Sequence, residues 1–243
     1  MKTLARGQFE AWADTYDRSM LNRFMFRPAY TTSMEEIARW YDEHRRPFRV
    51  LDIGSGTGTL AGWLTASPWP VRVVGMDYAE GMCREALTKT GKGGHSTSSE
   101  NAEDRGQQEG SFKRPFPRSP VGEKVECPLF VCADSEHLPF ADVSFDVVTC
   151  SNSFHHYPHQ QAVVNEMRRV LRPQGRLILI DGFRDNIVGW VTFDVIIARV
   201  EGRVYHAPWT VVHEYFKAAG FTGIRRRKLN FWFPLLATIG DVE

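Results

Sequence analysis

No uninterrupted apolar stretch in this sequence approaches the roughly 18–20 residues that a membrane-spanning helix needs. The opening residues, Met1-Lys2-Thr3-Leu4-Ala5-Arg6-Gly7-Gln8, lack the apolar run of a signal peptide, so the expected setting is the cytoplasm. An excess of one charge is missing too. Lys and Arg number 30 against 29 Asp and Glu, and a net charge of +1 supplies no general pull toward nucleic acid or an anionic membrane. The four cysteines, Cys83, Cys127, Cys132 and Cys150, form no CxxC pair. Three lie in or beside apolar runs, which reads as buried reduced thiols rather than disulfides or a metal site. What is present is a chain of 243 residues, 42% hydrophobic, enough for one large α/β domain or a domain with a small appendage.

Along the chain, helical and strand periods alternate. Phe9, Trp12, Ala13 and Tyr16 recur at helical spacing, and a second helical pattern runs through Tyr30, Met34, Ile37, Ala38 and Tyr41 until Pro47 stops it. Phe48–Ile53 is a short apolar run ending in glycines, a buried strand. Thr59–Ala66 is helical, Val71–Met76 is a strand ending at Asp77, and Ala79–Thr88 is helical again. From about 90 to 124 apolar residues nearly vanish among Gly, Ser and mixed charge, with Pro115, Pro117 and Pro120. Such a segment cannot offset its own ordering entropy, so it reads as a flexible surface insertion.

The alternation then resumes. Strands are expected at Leu129–Ala133, Phe145–Cys150 and Arg176–Ile180, with a helix at Gln161–Leu171 terminated by Pro173 and Gly175. Ile187–Val200 and Thr210–Ala219 look helical, the latter closed by Gly220. Thr222–Leu229 and Phe231–Ile239 read as a final hairpin turning near Asn230, with Pro234 placing the last strand at an edge or bulge. Strands alternating with helices imply a doubly wound, mostly parallel sheet with an antiparallel C-terminal edge strand, its ligand beyond the carboxyl ends of the strands.

The strongest chemical signal is the first strand–helix junction, Val50-Leu51-Asp52-Ile53-Gly54-Ser55-Gly56-Thr57-Gly58. Glycines there permit a tight turn and close approach of a ligand to the backbone. A dinucleotide fingerprint wants G-x-G-x-x-G and would need glycine at Thr59; here the third glycine comes one residue earlier, giving G-x-G-x-G. That spacing favours a ligand with no pyrophosphate to cradle. Asp77, at the end of the second strand, is placed to accept both hydroxyls of a ribose, although a strand-end or helix-capping Asp would look the same.

VLDIGSGTG, GMDYAEGM, ADSEHLPFADVSFDVVTCSNSFHH and LRPQGRLILI, in that order, resemble the successive motifs of class I S-adenosylmethionine-dependent methyltransferases. The resemblance is strongest to the branch that includes the ubiquinone/menaquinone-biosynthesis enzymes, and runs from about Trp12 to Ile180. It implies a Rossmann-like, seven-stranded sheet, with residues 1–47 as an N-terminal helical lid and 48–243 as the cofactor-binding domain. The implied cofactor is S-adenosyl-L-methionine and the implied partner a small-molecule methyl acceptor.

Carried over residue by residue, the resemblance implies that Gly54, Ser55 and Gly56 line the methionine part of the cofactor. Asp77 would hold the ribose hydroxyls, with Tyr78 and Met82 beside ribose and adenine. Asp134 would accept from the adenine amino group with Ser135 next to it, and Ser151 would face the methionine moiety. Asp52 would order the loop indirectly. Tyr16 would approach the methionine carboxylate or the substrate, or simply pack on the core. Leu138-Pro139-Phe140 reads as a structural turn. His155 and His156 sit where a proton acceptor would be, while Pro158 argues against a metal-binding His155-x-x-x-His159 helix.

Acceptor recognition is expected from the N-terminal helices and from Phe183, Arg184, Trp190, Phe193, Tyr205, His206 and Trp209, although core packing explains much of this aromatic content equally well. The basic run Arg225-Arg226-Arg227-Lys228 reads as a solvated strand edge. Two rivals remain at this stage. One is a nicotinamide-dependent oxidoreductase, and the other a non-catalytic methyltransferase-like binding module.

Overall fold

A computed structural model describes residues 26–91, 127–183, 204–229 and 234–243. The leading helix with Tyr16, most of the insertion, the helix expected at 187–200, Arg184, Trp190, Phe193 and the turn at Asn230 lie outside the described residues.

The described elements are α1 (Arg27–His44), β1 (Phe48–Ile53), α2 (Thr59–Thr65), β2 (Val71–Asp77), α3 (Glu80–Gly91), β3 (Leu129–Cys132), β4 (Phe145–Ser151), a 3-10 turn (Phe154–His156), α4 (Gln160–Val170), β5 (Leu171–Gly182), α5 (Trp209–Ala218), β6 (Thr222–Lys228) and β7 (Leu235–Asp241). The strands form one seven-stranded sheet in the order β3-β2-β1-β4-β5-β7-β6. β1 to β5 pair in parallel, and β7 runs antiparallel to both β5 and β6.

Alternation along the central strands divides the core into two layers. Leu51, Ile53, Val148, Cys150, Leu177 and Leu179 pack with Val163, Val164, Met167 and Val170 of α4 and Val212 and Phe216 of α5. Their sequence neighbours Val50, Val147, Ile178 and Ile180 pack on the other face with Met34, Ile37 and Trp40 of α1 and Leu60 and Leu64 of α2. Apolar residues on both faces of these strands are therefore required, because both faces are covered.

One expectation about position is corrected. The C-terminal strand is not at the edge, because β7 inserts between β5 and β6 and leaves β6 outermost. Pro234 precedes β7 and donates nothing to the ladder, while its carbonyl accepts from Phe183 N–H at 3.0 Å. The second helix ends before Pro47: Arg45 is left-handed (φ 48°) and its N–H returns to the Tyr41 carbonyl. On the outer strand, every residue of the basic run finds a local partner. Arg225 bonds Asp241 at 2.7 Å and Glu36 at 3.1 Å, Arg227 pairs with Glu35, Arg226 stacks over Trp209, and Lys228 lies over Phe183.

The parallel strand order reverses between β1 and β4. A crevice opens there beyond the carboxyl ends of the strands, where doubly wound sheets bind ligands.

Candidate functional site

That crevice is a cleft open to solvent at the carboxyl ends of β1, β2 and β4. At one end the wall is formed by Asp77, Tyr78, Met82, Asp134 and Ser135, which follow β2 and β3. At the other end stand Tyr30, Ser151, Asn152, Ser153, His156 and Tyr157, with Gly54 and Gly56 between the two.

The glycine loop is held from β2. Gly54 and Ser55 both donate their N–H to the Met76 carbonyl, at 2.8 and 3.0 Å, and Gly56 N–H donates to Asp77 Oδ2 at 2.9 Å. Gly58 N–H turns back to the Ser55 carbonyl. These four amides are satisfied inside the protein, which fixes the shape of the loop. Gly54 must remain glycine for two reasons: its φ is +69°, and a Cβ would sit 2.2 Å from Ser153 Oγ. The loop thus yields a close-approach surface, and the carboxylates of Asp77 and Asp134 on the same cleft wall suit a ligand that presents hydroxyl and amino donors, as adenosine does.

Asp77 accepts a second amide, Ala79 N–H at 2.9 Å. Burial raises its pKa, and the Ala79 and Gly56 hydrogen bonds oppose the shift. The carboxylate lines the cleft and retains lone pairs for a further donor. Asp134 Oδ1 accepts Glu136 N–H at 3.0 Å, forming a tight turn that leaves Asp134 on the cleft wall. Leu138-Pro139-Phe140 is a structural turn as expected: Arg169 binds the Leu138 and Phe140 carbonyls, and Glu166 accepts Leu138 N–H.

Two proposed cofactor residues stand off the cleft. Asp52 is buried beneath the loop, accepts the Thr149 hydroxyl at 2.7 Å, and is pushed up to about 7 by burial. Ser55 is also buried, its Oγ directed toward Gly75, so only its backbone could approach a ligand. Tyr16 lies outside the described residues.

The two histidines are adjacent within a single turn of 3-10 helix, Phe154–His156. His156 lines the cleft, and burial together with the neighbouring His155 holds its pKa well below the usual histidine value. His155 faces inward. Its Nδ1 lies 2.7 Å from Asp181 Oδ1, and its N–H donates to Asp181 Oδ2 at 2.8 Å. Gly182 N–H adds a third donor. Burial alone would raise Asp181, but His155 and His206 outweigh it and hold the carboxyl below its ordinary range. His155, Asp181 and His206 bring possible metal-ligand atoms within 4.8 Å of one another. However, the His155 and His206 rings stack nearly parallel at 4.5 Å, so their in-plane lone pairs do not converge on one point. His159 pairs instead with Glu136, away from this group.

Sequence reasoning missed Tyr30, Asn152, Ser153 and Tyr157 as cleft residues. Tyr157 OH and Ser153 Oγ are 3.0 Å apart, and Ser153 also reaches the Ile53 carbonyl and Cys150. Ser153 therefore fills the space that Gly54 lacks. The GSG motif could have flagged this: a glycine conserving room implies a side chain using it.

Comparison with solved structures identifies the fold. The magnesium protoporphyrin IX methyltransferase of Synechocystis, solved with bound SAH, superposes with a TM-score of 0.68 at 19% identity, covering 100% of this chain and 99% of that one. A methyltransferase of Haloferax volcanii, solved with its Trm112 activator, gives 0.67 at 18% identity, covering 96% and 97%. The fold is that of the Rossmann-like methyltransferases. Among curated proteins, the malonyl-[acyl-carrier protein] O-methyltransferase of Laribacter hongkongensis is 32% identical over 73% of this chain and 50% of its own. The ubiquinone/menaquinone biosynthesis C-methyltransferase of Pseudomonas putida is 34% identical over 55% and 41%. The chain spans about half the length of the curated relatives it matches. Residues 51–179 match the family model described as "Methyltransferase domain", and the chain belongs to that family.

Proposed function

We propose that this chain transfers a methyl group from S-adenosyl-L-methionine to a small-molecule acceptor. The observation that carries the reading is the glycine loop at the strand-order reversal, tied to Met76 and Asp77 and facing a cleft walled by Asp77 and Asp134. The relatives named above support the same choice of reaction.

The bound cofactor would supply an electrophilic methyl on a sulfonium, an already activated leaving group, so positioning accounts for most of the rate. Asp77 holds the ribose hydroxyls, Tyr78 and Met82 flank ribose and adenine, and Asp134 with Ser135 takes the adenine amino group. Gly54, Gly56, the Ser55 backbone and Ser151 border the methionine part. Asp52 acts from below by supporting the loop through Thr149. His156, neutral and on the cleft wall, takes the acceptor's proton where the nucleophile carries one. His155 acts behind it as a positioning residue tied to Asp181.

Residues 1–47 form the helical lid of the 48–243 cofactor domain. Tyr30 of α1 supports this, because it lines the cleft while Trp40 of the same helix is sunk in the core. The acceptor is a small apolar or aromatic molecule, in keeping with Tyr30 and Tyr157 at that end of the cleft. Among the described residues no helix is long and apolar enough to cross a membrane, and we place the protein in the cytoplasm.

The test is transfer of a labelled methyl group across fractionated extract, with Asp77→Ala as control. The reading expects labelled product with the wild-type chain and a loss of at least 100-fold in the variant. Full activity of Asp77→Ala would refute the ribose assignment.

A further inference from the structure

Asn152 follows β4 and forms part of the cleft wall. Three features set it apart. It is 8% exposed, so its side chain is nine-tenths buried. Neither Oδ1 nor Nδ2 has a hydrogen-bond partner among the described residues. Its backbone is left-handed, with φ +54°, held there by donation of its N–H to the Ile180 carbonyl at 2.8 Å. An unsatisfied buried carboxamide and a strained backbone are each costly, and their coincidence in a ligand cleft marks a group kept for binding.

The position narrows what it binds. β1 and β4 are last paired at Ile53–Cys150, so Asn152 stands two residues beyond, level with the glycine loop and away from the acidic Asp77 and Asp134 end. The hydroxyls around it are engaged: Ser151 with Ser33 at 3.3 Å, and Ser153 with Tyr157 at 3.0 Å. A carboxamide offers an acceptor and a donor without net charge. That pairing suits a zwitterion, whose ammonium and carboxylate would each repel one kind of charged side chain.

On the methyl-transfer reading above, we propose that Asn152 grips the amino-acid end of the cofactor, Oδ1 accepting from its ammonium and Nδ2 donating to its carboxylate. This makes Asn152 a binding residue selective for the methionine half of the ligand and indifferent to the adenosine half.

Two ligands separate the halves: S-adenosylhomocysteine, and 5′-methylthioadenosine, which keeps adenosine and sulfur but has no amino-acid group. The variant is Asn152→Gly, since glycine tolerates the left-handed backbone and removes only the carboxamide. Calorimetric titration should show S-adenosylhomocysteine weakened about 10- to 100-fold, with 5′-methylthioadenosine within twofold of wild type and the melting temperature unchanged or higher. Unchanged S-adenosylhomocysteine affinity would overturn the proposal, above all if the melting temperature falls, because the carboxamide would then be structural. Equal losses for both ligands would also overturn it. A wild-type chain that binds neither compound would overturn the methyl-transfer reading and this inference together, an outcome distinct from failure of the variant alone.

Discussion

Asp77 Oδ2 accepts the Gly56 N–H at 2.9 Å, tying the end of β2 to the middle of the glycine loop. The other oxygen takes Ala79 N–H at the start of α3, so one carboxylate orders two segments of the cleft wall. Its substitution therefore removes loop support along with any ligand contact. Asp77→Ala should weaken S-adenosylhomocysteine at least 100-fold. Asp77→Asn, with a single acceptor oxygen, leaves one of the two amides unpaired and should fall between wild type and alanine. Calorimetric affinities of the three proteins check the order; an asparagine variant as tight as wild type would contradict it.

Gly54→Ala meets two separate penalties, the positive φ and the collision with Ser153. The expected destabilisation is about 2–4 kcal/mol, seen as a lower denaturation midpoint. Ser153→Gly in the same chain removes the colliding atoms, whose Cβ would lie 2.5 Å away, but leaves the backbone strain. The double variant should recover part of the loss and not all of it. Full additivity of the two single changes would mean the residues do not interact.

Asp52 carries a pH dependence whose sign is opposite to that of most carboxylates. Its pKa rises from 3.8 to about 7 on folding, chiefly through burial. The stability linked to its protonated form is complete below the unfolded value and is lost as pH climbs through about 7. Asp52→Asn mimics the protonated acid and can still accept from Thr149. Its stability relative to wild type should increase between pH 4 and pH 8, by roughly 1–4 kcal/mol at most. Parallel urea titrations at the two pH values measure this, and a constant difference would show that Asp52 does not titrate there.

Asp181 behaves in the ordinary sense. Held low against its own burial by His155 and His206, it stabilises the fold above its unfolded pKa, and that contribution disappears as pH falls through the lower folded value. Asp181→Asn should cost about 2–4 kcal/mol, because one acceptor oxygen becomes an NH2 donor and the ring and backbone N–H of His155 can no longer both be satisfied, yet spare S-adenosylhomocysteine affinity because Asp181 does not line the cleft. His156→Ala should do the reverse for turnover: stability near wild type, cofactor affinity unchanged, methyl transfer down about 100-fold or more if the acceptor must lose a proton. With His156 held neutral, the wild-type rate should show no acid limb near pH 6.5.

Much of this was legible in the sequence. The G-x-G-x-G loop and the apolar run Phe48–Ile53 marked the first junction because glycine and unbroken burial leave direct traces in composition, and the strand has those limits. The position of β7 was not legible: a hairpin signal says that two strands pair, not which of them reaches β5. Nor could adjacent His155 and His156 be told apart, since a 3-10 turn sends one inward to Asp181 and the next into the cleft. Asn152 carried no pattern at all. Its left-handed backbone and unpartnered carboxamide exist only once Ile180 is beside it.

The central claim is that the inward-turned glycine loop accepts adenosylmethionine chemistry and not a dinucleotide. Calorimetric titration of the wild-type chain with S-adenosylhomocysteine and, separately, with NAD tests this most directly. The account predicts saturable binding of S-adenosylhomocysteine and no measurable heat from NAD. Tight NAD binding without S-adenosylhomocysteine binding would contradict it.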